Sequence, residues 1–240
     1  MEKYHISSIW DKVADPYHRI SILSKPHSAR LEKVAGFILE KKFHKIFDLG
    51  CGSGILEKYL ISHGFIGEIE AIDNSSAMLN IATKTIRSAT GVSFKLNDMD
   101  TGLDAQSNSM DCIVAINTMY LVKDKVGFLS DVKRILKPDG YFILVDPKPH
   151  GGIFPFIKEH FLVTHPSNTV KDLCKLTNLV DLIRVILAQM KVDSFFKHGV
   201  ISYQGFDEII AHLSNSGFMI EISEETQARQ NWFFISKIKK

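Results

Sequence analysis

The amino-acid sequence predicts an α/β protein, a doubly wound sheet with helices on both faces. Three observations carry this. Strand-like apolar runs alternate with helix-period segments along most of the chain. One run, 110–116, is apolar almost throughout and reads as a strand buried on both faces of a parallel sheet. A second run, 45–49, enters a turn with alternating glycines, Gly50, Gly52 and Gly54, behind which 55–61 reads as a helix. Strand, glycine turn and helix make the unit that presents backbone N–H groups to a ligand at a helix N-terminus.

The elements follow in order. Residues 6–20 place Ile9, Trp10, Val13, Ala14 and Tyr17 at helical spacing, with Asp15-Pro16 breaking or kinking the pattern. Leu31, Val34, Ala35, Ile38 and Leu39 give a helical face over 28–41, leading into the first strand at 45–49. The helix after the glycine turn stops at His63-Gly64, with Gly64 in the left-handed position. The second strand, 68–72, ends at Asp73, and a helix begins near Ala77, which Asp73, Ser75 or Ser76 could cap; Ser76 covers the cap well and leaves Asp73 free. The third strand is 92–96 and the fourth 110–116. A helix over 127–136 is closed by Lys137-Pro138-Asp139-Gly140, and the fifth strand is 141–145. Residues 147–200 depart from the alternation. A Pro/Gly loop precedes a long helical face carrying Val180, Ile183, Ile186, Leu187 and Met190, broken by charges. A helix from Phe206 stops at Asn215-Ser216-Gly217, and strands 218–223 and 232–238 form a hairpin.

The glycine turn is not the dinucleotide fingerprint, because Ile55 holds the place of its third glycine. Asp48, just before the turn, would repel a phosphate and attract an ammonium group. Asp73, about twenty residues on, stands where an acid accepts ribose hydroxyls, which suits any adenosine ligand.

At this point the residues resemble the class I S-adenosylmethionine (SAM)-dependent methyltransferases. Asp48-Leu49-Gly50-Cys51-Gly52-Ser53-Gly54 is similar to their first motif, and residues 73–82 to their Asp-x-Ser-x-x-Met-Leu-x-x-Ala pattern. Residues 129–144 resemble the family's Leu-Lys-Pro-Gly-Gly segment, with Asp139 replacing one glycine. The resemblance covers roughly 10–145 and 203–238, and is nearest to the small-molecule group that includes the ubiquinone and menaquinone C-methyltransferases. It implies a Rossmann-like seven-stranded sheet in the order 3-2-1-4-5-7-6, with one antiparallel strand and a helical insertion after strand 5. The whole chain is then one domain, with 1–25 as an N-terminal lid segment and 147–200 as a helical cap. The implied cofactor residues are Asp48, Gly50, Cys51, Gly52 and Gly54 at the first motif, Asp73 at the ribose, and Asn74 and Met78 beside the adenine. Asp98 and Met99 meet the adenine edge, Tyr17 approaches the methionine part, and Asn117 ends the fourth strand.

Composition sets bounds. The 240 residues are 45% hydrophobic and carry a formal net charge of +2, which argues against a nucleic-acid footprint. Asn117 and Tyr120 recur in enzymes that methylate nucleic-acid bases, but the prolines between them are missing here. Three cysteines without a CxxC spacing fit a reducing, cytoplasmic setting. No eighteen-residue apolar run predicts a membrane span, and no ligand cluster predicts a metal.

SAM carries an activated methyl, so the protein's task is proximity and orientation toward a small, partly apolar acceptor. A general base is not identified by the residues; His18, His150 and His165 lie in segments that border the substrate. Phe154, Phe156, Phe161, Phe195 and Phe196 suit an aromatic pocket wall. The same insertion would equally serve as a homodimer face or a core helix. Two rival classes remain, a catalytically silent SAM-binding protein and an NAD-dependent oxidoreductase.

Overall fold

The computed structural model describes residues 6–86, 90–149, 176–196, 198–226 and 230–240. Seven strands form one sheet: β1 (Lys45–Leu49), β2 (Glu68–Asp73), β3 (Val92–Leu96), β4 (Met110–Ile116), β5 (Leu136–Pro147), β6 (Phe218–Glu225) and β7 (Asn231–Ile238). Their order is β3-β2-β1-β4-β5-β7-β6, as the resemblance implies. β1 to β5 pair in parallel, and β7 runs antiparallel to both β5 and β6.

Seven helices accompany them among the described residues: α1 (Ile6–Leu23), α2 (Lys25–Lys41), α3 (Ile55–Ser62), α4 (Ser76–Thr85), α5 (Lys125–Ile135), α6 (Leu176–Phe196) and α7 (Phe206–Asn215). Each face of the sheet has its own core. Phe47, Leu49, Ile113, Phe142 and Phe234 pack with α5 and α7 on one side. Ile46, Cys112, Val114, Ile143 and Phe233 pack with α2 and α3 on the other. This alternation along β1, β4 and β5 is why those strands read as unbroken apolar runs.

Three details depart from the sequence reading. Pro16 lies inside α1, which runs unbroken from Ile6 to Leu23. Pro16 lacks the N–H that would return to the previous turn, but its ring is buried and α1 is docked on α4 and α6, which offset the lost bond. The cap of α4 is Ser75, whose side chain accepts from Met78 N, rather than Ser76. β5 begins at Leu136, so the Lys-Pro-Asp-Gly stretch is an irregularity within the strand. It falls where the β4 pairing shifts register, between Met110↔Leu136 and Cys112↔Tyr141.

A smaller apolar cluster stands outside the two sheet cores. Ile9 and Val13 of α1 meet Ala188, Val192 and Phe195 of α6, with Tyr120 and Ile201 beneath. Arg19 fastens the pair by two bonds to Asp181, Nε at 2.6 Å and Nη2 at 3.1 Å. The other side of α1 is held by Asp11, which accepts from Ser75 Oγ at 2.6 Å and Ala77 N at 3.2 Å at the start of α4.

Candidate functional site

A cleft of about 280 Å³ opens at the C-terminal ends of the parallel strands, where doubly wound sheets bind ligands. One side is the glycine turn. Gly50 N and Cys51 N both donate to Ile72 O, at 2.8 and 3.0 Å, which locks the turn across the β1–β2 junction. Gly50 has φ +82°, and a Cβ there would press on Thr118 Oγ1. That hydroxyl donates to Leu49 O at 2.9 Å and cannot retreat without losing the bond. Gly54 is required for another reason: at φ +76° its Cβ would meet the Ala82 backbone at 3.0 Å, so it lets α4 approach the turn.

Asp73 sits at the floor of the cleft. Its Oδ2 accepts from Gly52 N at 2.9 Å and its Oδ1 from Ser75 N at 2.8 Å. Burial raises its pKa, and these N–H groups oppose that rise. Each oxygen keeps a further lone pair for a ligand hydroxyl. Asn74, Met78, Asp98 and Met99 line the same side. Asp98 caps the turn Met99–Thr101 by accepting from Asp100 N, while Asp100 Oδ1 is held by Lys123 N at 2.8 Å.

Asn117 closes β4 with φ +54°, a left-handed conformation that asparagine tolerates better than most residues. Its N donates to Val145 O at 2.6 Å, and its Oδ1 accepts from Asn231 Nδ2 at 2.5 Å. Tyr17 of α1 lies over this junction, its ring edge against Trp10 at 5.5 Å. Ile6, Ser7, Trp10 and Tyr17 thus supply the cleft's outer wall.

Behind the turn lies a hollow of about 50 Å³ that shares Tyr17, Gly50, Gly52 and Asn117 with the cleft. Asp48 and Cys51 line this hollow. Asp48 is buried beside Glu57. Burial pushes Asp48 up to about 7, and burial with the neighbouring carboxylate pushes Glu57 well up, so the pair holds a proton near neutrality. Burial, with Glu57, Asp73 and Asp48 nearby, also raises the Cys51 thiol, which stays protonated.

The hollow also holds a group that the motifs did not single out. Arg30 of α2 is partly buried, with Nη1 donating to Asn231 Oδ1 at 3.2 Å and a buried Nε that has no acceptor among the described residues. Burial lowers its pKa, and the nearby Tyr17 hydroxyl opposes this. His27 beside it has an Nδ1 without a partner among the described residues, and its pKa is held well down by burial and by Arg30. A partly buried guanidinium with no carboxylate partner among the described residues is costly, and an anionic ligand would relieve it. The sequence signal, one arginine on an apolar helix face, was too plain to stand out.

Of the three candidate histidines, His18 does not line the cleft. His18 Nδ1 is 2.9 Å from Ser53 Oγ, on the far side of the glycine turn, and burial lowers its pKa. His150 and His165 lie outside the described residues, as do Phe154, Phe156 and Phe161. Phe195 is buried in the α1–α6 cluster and Phe196 stands 45% exposed, so the expected aromatic wall is not built from them. From this segment Gln189 and Val200 line the cleft instead. Among the described residues no His, Cys, Asp and Glu side chains group as a metal site, and no helix is long and apolar enough to cross a membrane.

Sheet order, glycine turn and terminal acid of β2 define a Rossmann-like methyl-transfer scaffold. Residues 40–199 match the family model described as a methyltransferase domain, and the chain belongs to that family. It is a SAM-dependent methyltransferase, with SAM as its cofactor. It is similar to the demethylmenaquinone methyltransferase of Tropheryma whipplei, 26% identical over 219 residues covering 89% of this chain and 83% of that protein. It is also similar to the enzyme of that name from Thermotoga maritima, 28% identical over 61% of this chain, spanning 63% of that protein's length. The SAM-dependent methyltransferase of Aquifex aeolicus shares the fold, with TM-score 0.59, 19% identity, and coverage of 98% of this chain and 100% of that one. One from Mesorhizobium loti does so with TM-score 0.58 at 18% identity, over 86% and 97% of the two chains.

Proposed function

We propose that this chain transfers a methyl group from SAM to a small, partly apolar acceptor, with cofactor and acceptor held side by side in the one cleft. The observation that carries this is the division of the lining. Asp73, Asn74, Met78, Asp98 and Met99 cluster on one side, and Trp10, Tyr120, Leu121 and Val200 on the other. The relatives named for quinone methylation support an acceptor of this kind.

The residues fit the cofactor. Asp73 would hold the ribose hydroxyls, with Asn74 and Met78 flanking the adenine and Asp98 and Met99 at its edge. Tyr17, Gly52 and Asn117 border the methionine part, and Asp48 and Cys51 back the turn. Arg30 supplies the cation for the carboxylate. Bound SAM brings a methyl already activated on a sulfonium, so this chain's contribution is to orient the two partners and exclude water. α1 serves as the lid, tied to α4 by Asp11 and to α6 by Arg19.

Calorimetry tests the cofactor half. S-adenosylhomocysteine should bind far more tightly than 5′-methylthioadenosine, which lacks the amino-acid end. Arg30→Ala should close most of that gap, about one to two orders of magnitude for a charge-assisted contact, while leaving methylthioadenosine unaffected. NAD binding in place of both would favour an oxidoreductase. Transfer of labelled methyl from SAM to 1,4-naphthohydroquinone or a catechol tests the acceptor half. SAM binding without transfer to any extract fraction would favour a silent SAM-binding protein.

A further inference from the structure

Away from the glycine turn the cleft wall changes character. Tyr120, from the turn Met119–Leu121, lies stacked on Tyr203, ring centroids 5.0 Å apart and planes 12° off parallel. Ser202 N donates to Tyr120 O at 3.0 Å, tying the stretch that carries Tyr203 to the turn that carries Tyr120. Gln189 of α6 reaches in between. Its Nε2 donates to Tyr203 Oη at 3.3 Å and lies beside the Tyr120 hydroxyl. It also donates to Asp193 Oδ1 at 2.8 Å. The Tyr203 hydroxyl donates to that same Asp193 oxygen in a short bond.

The bonding pattern fixes what this wall can offer. A carboxylate only accepts, so Asp193 dictates that Gln189 turns its nitrogen toward it and leaves its carbonyl as the other end. The single proton of Tyr203 is committed to Asp193. Tyr120 and Gln189, which line the cleft, are then a neutral hydroxyl and a neutral amide held in fixed orientation. Burial, with Asp146, Tyr17 and Asp193 nearby, raises the Tyr120 pKa, so it acts as a donor and not as a base. Around the pair stand Ile6, Trp10, Leu121 and Val200. Arg30 lines the hollow behind the glycine turn and does not line this cleft. Lys123 borders it, but its side chain is 69% exposed and leans toward Asp100.

We propose that Tyr120 and Gln189 read the methyl acceptor by recognising a neutral hydroxyl or carbonyl oxygen on an otherwise apolar ring, with Tyr203 and Asp193 as positioning residues that fix the pair. This rests on the reading of the cleft as a shared cofactor and acceptor site. A carboxylate or phosphate on the acceptor would find no bidentate cation at this wall. An acceptor without any polar group would leave the tyrosine hydroxyl and the amide carbonyl without partners, which costs affinity.

The test uses the full-length protein loaded with S-adenosylhomocysteine and three probes of one shape: 1-naphthol, naphthalene and 1-naphthoate. Wild type should bind 1-naphthol about five- to tenfold more tightly than naphthalene, the scale of one or two neutral hydrogen bonds, and 1-naphthoate least of all. Tyr120→Phe should reduce 1-naphthol to the naphthalene level without changing naphthalene or S-adenosylhomocysteine affinity. Gln189→Leu should act in the same direction, and it carries the test if Tyr120→Phe does not fold. Asp193→Ala should weaken 1-naphthol alone, and Asp193→Asn, whose carbonyl still accepts, should restore much of it. A merely structural role for Asp193 would weaken naphthalene equally. Preference for 1-naphthoate, or a 1-naphthol advantage that survives both Tyr120→Phe and Gln189→Leu, overturns the proposal while the shared-cleft reading stands. Cofactor binding with none of the three probes bound overturns the shared-cleft reading and this proposal together.

Discussion

On the glycine-turn side of the cleft, the inward-facing groups come from short contiguous stretches: Gly50 and Gly52 from one turn, Asp73, Asn74 and Met78 from one strand end and helix start, Asp98 and Met99 from another. Much of the bonding there is made by backbone N–H groups, as at Asp73 and at the Gly50–Ile72 contact. On the cap side, Trp10, Tyr120, Gln189 and Val200 arrive from three distant parts of the chain and meet through side chains. Backbone geometry leaves a local sequence signature because it needs particular residues at particular spacings. Side-chain convergence across long separations leaves none. The first side should therefore be rigid and intolerant of substitution, the second adjustable.

The sharpest way to break that comparison is Gly50→Ala. A left-handed conformation costs an L-residue about 1–2 kcal/mol, and crowding against Thr118 adds about 1–3. Denaturant titration should show a loss of roughly 2–5 kcal/mol. Adding Thr118→Ala should recover part of it by removing the crowded atoms. A loss under about 1 kcal/mol would mean that the turn gives way more easily than its bonding to Ile72 and Thr118 implies.

Asp73→Ala comes next. Bonds to a charged acceptor contribute about 1.5–3 kcal/mol, so S-adenosylhomocysteine affinity should fall by roughly one to two orders of magnitude in calorimetry. Stability should fall as well, because Gly52 N and Ser75 N lose their acceptor. Unchanged affinity would remove Asp73 from the cofactor site and leave it a structural clamp.

The contrast also explains what the sequence revealed. β1 and β4 were legible because parallel central strands are apolar on both sides and glycine turns are conspicuous, whereas the sheet order came from the family resemblance. The start of β5 was not, because Lys137-Pro138-Asp139-Gly140 has turn chemistry and only the register shift opposite β4 keeps it in the strand. Pro16 misled for a related reason: tertiary docking of α1 overrides a local breaker. Arg30 was invisible because its significance is the lack of a carboxylate partner among the described residues, which only the fold reveals. The expected phenylalanine wall drew on composition, whereas Phe195 is needed in the cluster that holds α6 to α1.

A smaller effect concerns pH beneath the cap side. Asp146, next to the end of β5, is fully buried, with no hydrogen bond reaching either oxygen among the described residues, although the N–H groups of Tyr120, Thr118 and Met119 point toward it. Burial pushes its pKa up to about 7 from 3.8. The folded state therefore holds this proton more tightly than the unfolded chain. The associated stability is fully present below the unfolded value and is lost as pH rises through about 7. Asp146→Asn should match wild type below about pH 4, and its advantage should grow by roughly 1–3 kcal/mol between about pH 5 and pH 8. Asp48 and Glu57 act with the same sign, so the wild-type slope should persist in part. Parallel stability curves for the two proteins would show that Asp146 is better solvated than its burial indicates.

The smallest expected effect tests whether the cap side is adjustable at all. α1 is joined to its two neighbours by unlike contacts. Asp11 sits at the α4 N-terminus, where the helix end favours an anion, and α4 belongs to the rigid side. Arg19 pairs with Asp181 of α6 and is about half exposed, so solvent screens the bond and it contributes up to about 1 kcal/mol. The Arg19 partnership holds the Asp181 carboxyl below its usual range, so the contribution is present above the ordinary carboxylate pKa and is lost in more acidic solution. If α1 is a lid, S-adenosylhomocysteine should slow hydrogen exchange across Ile6–Leu23, because Tyr17 lines the cofactor cleft and Trp10 packs against Tyr17. Arg19→Ala should speed exchange in the half of α1 beyond Pro16, while the half held by Asp11 changes little. Cofactor affinity should fall no more than a few-fold, since the residues facing the ligand are intact. Equal exchange with and without ligand would make α1 a fixed wall, and both sides of the cleft would then be equally rigid.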